Sequence, residues 1–219
     1  MRWTRAQWTV LVIAWLGWVF DVMDAALFNF AKVPMFTEML GPELYKQSGA
    51  AVEGRVQSVF MLGWAIGGLL FGILADRWGR ARTLILTILL YSLFTGLTAL
   101  CRTPDQVAFV RFLTALGIGG EWAAGAALVA ETFRGGGRAP ASSFLQSAAA
   151  VGPALAAFVN LGLASLPWES LLGRPTMPWQ SLFLVGVVPA LLCVVIRMVV
   201  REPEAVPKDA PFPLGELWR

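Results

Sequence analysis

The chain has 219 residues, 57% of them hydrophobic and 14% charged, with a net charge of +3 and a mean hydropathy of +0.66, which is too apolar for a soluble domain that covers itself with polar surface. The absence of histidine excludes His-dependent chemistry, including a Ser–His protease dyad and His metal sites. No GxxxxGK[ST] phosphate loop occurs either, so ATP-driven work would need another subunit.

Six nearly uncharged runs are long enough to cross a bilayer, at about 8–30, 56–75, 83–101, 106–130, 141–166 and 176–197. They predict an all-α membrane protein with one transmembrane domain over 1–200 and a polar tail over 201–219. Arg2 and Arg5 precede the first run as in a signal peptide, but the run is long, contains Asp21 and Asp24 and lacks a small-x-small cleavage site, so it is expected to stay as an anchor. The mixed-charge stretch 31–54, with Pro34 and Pro42, is expected to form an outer loop. Spans 2 and 3 are joined by the charged turn Gly72 to Arg82, spans 3 and 4 by Arg102-Thr103-Pro104-Asp105, and spans 4 and 5 by Arg134 to Pro140; such short connections imply antiparallel neighbours.

Placing the N-terminus in the cytoplasm puts Arg2, Arg5, Arg77, Arg80, Arg82, Arg134, Arg138, Arg197, Arg201, Lys208 and Arg219 inside, and Lys32, Lys46, Arg55, Arg102 and Arg174 outside. This positive-inside bias sets the orientation and accounts for the net charge without a nucleic-acid partner. Cys101 and Cys193 fall in or beside spans and read as small apolar packers. Gly63, Gly67, Gly68 and Gly72, then Gly117, Gly119, Gly120 and Gly125, then Ala148 to Ala150 with Gly152, would let helix backbones approach closely. Pro153 and Pro189 predict kinks. No metal site and no cofactor is expected.

Charged groups near mid-membrane cost about 2.5–3.5 kcal/mol or more and must face a partner or a wet cavity. Asp21 and Asp24 stand i and i+3 on the first span, and Arg111 and Glu121 lie in the fourth. Counted at about 1.5 Å per residue from the outer ends of their spans, Asp24 and Arg111 lie at matching depths of roughly 9 and 8 Å. An Asp24–Arg111 pair is therefore expected, either as a static brace or as a coupling device in which Asp24, separated from its cation, takes a proton. Asp21 is expected to titrate together with Asp24. Glu121, beside Trp122 and about 15 Å further in than Arg111, can line a substrate site or serve as a buried hydrogen-bonding group. Asn29, Gln57, Gln146 and Asn160 are further lining candidates that could equally bridge neighbouring helices. On the inner face, Asp76, Arg77, Arg80 and Arg82 interleave in sign with Glu131, Glu202 and Glu204, a pattern suited to a gate and to anchoring on anionic lipid.

The stretch Gly72-Ile73-Leu74-Ala75-Asp76-Arg77-Trp78-Gly79-Arg80-Ala81-Arg82 resembles the loop between helices 2 and 3 of the major facilitator superfamily, G-x-x-x-D-R-x-G-R-[RK], departing from it at Ala81. Arg111 through Gly117-Ile118-Gly119-Gly120-Glu121-Trp122 resembles the helix 4 pattern of its organic-acid branches. Arg5-Ala6-Gln7-Trp8, Ala14-Trp15-Leu16-Gly17 and Asp21-Val22-Met23-Asp24, with Pro203-Glu204-Ala205, resemble sialate:proton and related monocarboxylate symporters. Gly152-Pro153 resembles the G-P element of metabolite antiporters, with Ala156 where a glycine would follow.

The resemblance implies the N-terminal six-helix half of a twelve-helix fold built from three-plus-three inverted repeats. The polar tail looks like the start of the central cytoplasmic loop, so a truncated chain is expected, or two six-helix copies acting together. It further implies Asp24 and Arg111 in coupling, Glu121 near substrate, and Gly72, Asp76, Arg77, Gly79, Arg80, Glu131 and Glu204 in the inner gate. The expected function is secondary transport of a small organic anion with protons across the inner or plasma membrane, without enzymatic activity. A sugar or polyol carrier, a metabolite antiporter, and a non-transporting receptor or assembly protein derived from half a transporter are the alternatives.

Overall fold

The computed structural model describes residues 3–133, 137–172 and 177–188. Arg134, Arg174, Pro189, Cys193, Arg197, Glu202, Glu204 and the rest of the tail lie outside the described residues. Among the described residues every regular element is a helix: α1 Arg5–Leu40, α2 Pro42–Trp78, α3 Arg80–Thr98, α4 Pro104–Thr132, α5 Arg138–Gln146, α6 Ala148–Ala164, α7 Trp168–Leu172 and α8 Gln180–Val185. Five segments are long and apolar enough to cross a membrane: α1, α2, α3, α4 and the pair α5–α6. Of the predicted sixth span, 176–197, the described part contains α8.

Local chemistry sets the helix ends. α1 starts in a capping box, with the Gln7 backbone N–H donating to Thr4 Oγ1 (3.3 Å) and the Thr4 N–H donating to Gln7 Oε1 (3.0 Å), which satisfies two of the donors a helix start leaves open. α4 starts with Thr103 Oγ1 accepting from the Gln106 N–H and with Pro104 in its first turn, where a missing N–H costs nothing. The joints α1–α2 and α2–α3 are single glycines, Gly41 at φ +81° and Gly79 at φ +104°. L side chains rarely adopt that backbone conformation, so each glycine permits a turn with no further linker.

The expected loop over 31–54 is instead helical, divided only at Gly41. Pro42 occupies the favoured first turn of α2, and α1 runs on through Pro34. The extensions hold each other laterally: Lys32 Nζ lies 3.1 Å from Glu53 Oε2, and the Tyr45 hydroxyl donates to Glu53 Oε1 at 2.5 Å. Met35 and Phe36 bury in one cluster with Val56, Trp179 and Phe183, and the Trp179 indole N–H donates to Glu38 Oε2 at 2.9 Å. Polarity there marked emergence from lipid, which the apolar-run criterion could not distinguish from the end of a helix.

Close backbone packing holds the bundle, since lipid offers apolar side chains as good a solvent as a protein core does. α2 lies along α4 through glycines on both. A Cβ on Gly67 would strike the Leu116 backbone carbonyl, and one on Gly119 the Trp64 carbonyl. Gly117 seats α4 on α3 at Thr87 and Tyr91, and Gly152 seats α6 on α1 at Val19. The expected single span 141–166 bends at Ser147, between α5 and α6. Pro153 has no N–H for the Ala149 carbonyl, and the bend lies just before that turn. There Ser147 Oγ donates to the Phe144 carbonyl (2.6 Å) and accepts from the Trp15 indole (2.9 Å).

Candidate functional site

α1 and α4 run antiparallel, as the bond from Gln7 Nε2 near the start of α1 to the Thr132 carbonyl at the end of α4 fixes. Every Cα–Cβ bond leans toward its own helix N-terminus, so side chains of the two helices lean in opposite directions along the shared axis. Two polar contacts result.

The first contact joins Asp24 and Arg111, each only 2% exposed. Arg111 Nη1 donates to Asp24 Oδ2 at 2.6 Å, and Thr95 Oγ1 of α3 donates to Asp24 Oδ1 at 2.7 Å. The guanidinium carbon stands 4.6 Å from the Phe28 ring centre and 4.7 Å from that of Phe60, so the cation is held between two aromatic faces. The carboxylate thus has a charged partner and a hydroxyl donor, which is what burial of a charge demands.

The second contact joins Asp21 and Glu121, exposed by 4% and 2%. Both side chains line one narrow cleft between α1 and α4, where the sequence reading couples Asp21 to Asp24. Glu121 Oε1 lies directly over Gly17, one turn before Asp21, where any Cβ would collide with it. Asp21 Oδ1 and Glu121 Oε2 are buried without hydrogen-bond partners.

Asp21 lies on the wall of a cavity of about 390 Å³ whose other lining residues are Trp18, Val22, Ala25, Phe60, Met61, Trp64, Ile118, Trp122 and Gln146. Trp64 and Trp122 stand 6.5 Å apart, tilted by 55°. A narrow cleft is lined by Asp21 and Glu121 together with Ala14, Trp18 and Gly125. Such a chamber suits a flat apolar ring with one polar end: indoles and a phenyl ring supply surface, and the α1–α4 seam supplies charge.

Of the candidate lining residues, Trp122 and Gln146 border the chamber. Asn29 and Gln57 are exposed, one helical turn beyond Ala25 and Met61, and Asn160 is half-buried on α6; none of the three borders it. At the Gly79 end, Arg80 Nη2 reaches Asp76 Oδ1 (2.6 Å) and Glu131 Oε1 (2.9 Å), tying α2 and α3 to α4. Gly72 lies in ordinary contact with Ala123 of α4. Arg77 is exposed, and both it and Arg82 make contacts of their own. Thr95, Phe28, Phe60, Gly17, Trp18 and Trp64 were not singled out from sequence, because none carries a charge to mark it. The missing side chain at Gly17, in register one turn from Asp21, was the available signal.

The family model described as Major Facilitator Superfamily matches residues 14–219. A probable 4-methylmuconolactone transporter of Cupriavidus pinatubonensis is 41% identical over 187 residues, covering 85% of this chain and 40% of the relative. The sialic acid transporter NanX of Escherichia coli is 29% identical, covering 90% of this chain and 45% of the relative. The inward-open xylose transporter XylE of Escherichia coli superposes with a TM-score of 0.78 at 22% identity, over 91% of this chain and 49% of that one; this supports the fold alone. The chain thus spans less than half the length of these relatives. With its helices, charged Gly79 turn and family match in agreement, the chain is an all-α, multi-pass membrane protein that belongs to the Major Facilitator Superfamily.

Proposed function

We propose that this chain forms one half of the path of a secondary transporter that moves a small ring-bearing carboxylate with protons by alternating access. The observation that carries the reading is the buried Asp24–Arg111 pair, which lies beside an aromatic-walled chamber and shares Phe60 with it. An anion approaching Arg111 competes for its guanidinium, and Asp24, left with Thr95 alone, can then take a proton. Relatives named as transporters of niacin in Acinetobacter baylyi and of 4-hydroxybenzoate in Pseudomonas putida support an aromatic acid as cargo. The apolar lining favours such a ring over a sugar or polyol, which needs many hydrogen-bonding groups. The far wall of the chamber is supplied by a second half or a second copy, against which the exposed Trp64 and Trp122 would face. The N-terminus and the Gly79 turn lie in the cytoplasm of a plasma or inner membrane, and Arg80 with Glu131 latches that end.

The test is uptake of labelled nicotinate and 4-hydroxybenzoate into proteoliposomes, with this chain alone and joined to six further helices of a relative. Replacing Asp24 with Asn should abolish accumulation against a gradient and leave exchange of preloaded substrate. Undiminished uphill uptake in that variant would refute the coupling role.

A further inference from the structure

Among the described residues, no cation is paired with Asp21 or Glu121. Asp24 stands one turn away on the same helix, and the guanidinium of Arg111 is committed to it. The surrounding helices offer nothing more. α6 and α8 carry no charged residue, and α5 has only Arg138 at its first position. The charges of α3 are Arg80 and Arg82 at the Gly79 end, and those of α2 lie at its two ends, Glu43 to Arg55 and Asp76 with Arg77. Two ionised carboxylates on one narrow cleft, with two oxygens buried and unpartnered, would repel each other in a medium that screens them poorly. A carboxylate has no hydrogen to donate, so the two groups can bond to each other across the cleft only when one of them carries a proton.

We propose that Asp21 and Glu121 together bind one proton, as a carboxylic acid hydrogen-bonded to a carboxylate, at the wall of the aromatic chamber and apart from the Asp24–Arg111 pair. Gly17 is the seat of this site, since it leaves the space that Glu121 Oε1 occupies. Balancing the charges gives the same answer. Three buried carboxyls face one guanidinium, and a proton on the second pair leaves a single uncompensated negative charge instead of two. Asp21 borders the chamber, and both acids border the cleft. The use of this proton in transport rests on the function proposed above, but its presence does not.

The experiment is therefore spectroscopic and independent of uptake. Infrared difference spectra of the full chain in lipid nanodiscs at neutral pH, in H2O and D2O, should show the carbonyl stretch of a protonated carboxylic acid. Asp21→Asn and Glu121→Gln each supply the hydrogen that the proton supplied, so both variants should fold and lose that band. A wild-type spectrum without the band, or a band that survives either substitution unchanged, overturns the proposal. Stabilisation by sodium ions in the absence of the band would instead assign the site to a metal cation and overturn it equally.

Discussion

Asp21 and Asp24 stand one turn apart on the same helix and meet the same neighbouring helix, yet their surroundings are opposite in construction. Asp24 has a guanidinium, a threonine hydroxyl and two aromatic rings that hold its partner. Asp21 has another carboxyl group, a glycine that makes room for it and a chamber. In the first contact each charge has its counter-charge, although the Arg111 Nε–H is buried without a partner, so its energy lies in keeping two opposite charges together. The second is satisfied only by something brought from outside. Burial alone therefore does not define the role of an intramembrane acid; the partners it is given do.

The comparison can be broken most directly at Arg111. Arg111→Ala strands Asp24 as a buried unpaired charge and should cost about 3–5 kcal/mol, read as unfolding of the chain in detergent or nanodiscs. The double variant Asp24→Asn, Arg111→Gln should recover most of that loss. A smaller effect is expected at the other contact. Gly17→Ala pushes Glu121 from its seat and should cost about 1–3 kcal/mol, falling below about 0.5 kcal/mol when Glu121 is already alanine, as a double-mutant cycle would show. The smallest effect belongs to the exposed end of the bundle. Arg80→Ala removes bonds to Asp76 and Glu131, whose side chains are 59% and 48% exposed, and should change stability by less than about 1 kcal/mol. Equal losses from Arg111→Ala and Arg80→Ala would erase the distinction between a sealed pair and a wet one.

Asp24 and Arg111 were legible in sequence because opposite charges at matching depth on antiparallel spans have one economical arrangement. Asp21 and Glu121 were not. Charge reasoning argues against bringing two carboxyls together, and rise along the helices puts Glu121 about 15 Å from Arg111 while Asp21 is only about 4.5 Å from Asp24. The gap closes because Asp21 and Glu121 lean toward each other from opposite helix directions and because Gly17 lets the longer side chain pass. Thr95, Phe28 and Phe60 stayed hidden for a simpler reason: uncharged residues carry no depth marker. The helical course of 31–54 was hidden too, since polar residues end an apolar run without ending the helix that carries them.

A single residue at Gly41 also has a mechanical meaning. At about 1.5 Å per residue, the 36 residues of α1 extend some 54 Å against a hydrocarbon core of roughly 30 Å. Two rods of such length pinned by one glycine cannot slide past one another. Their relative motion reduces to swinging about the pin, with most travel at the far end, and the acids of α1 ride partway along the arm.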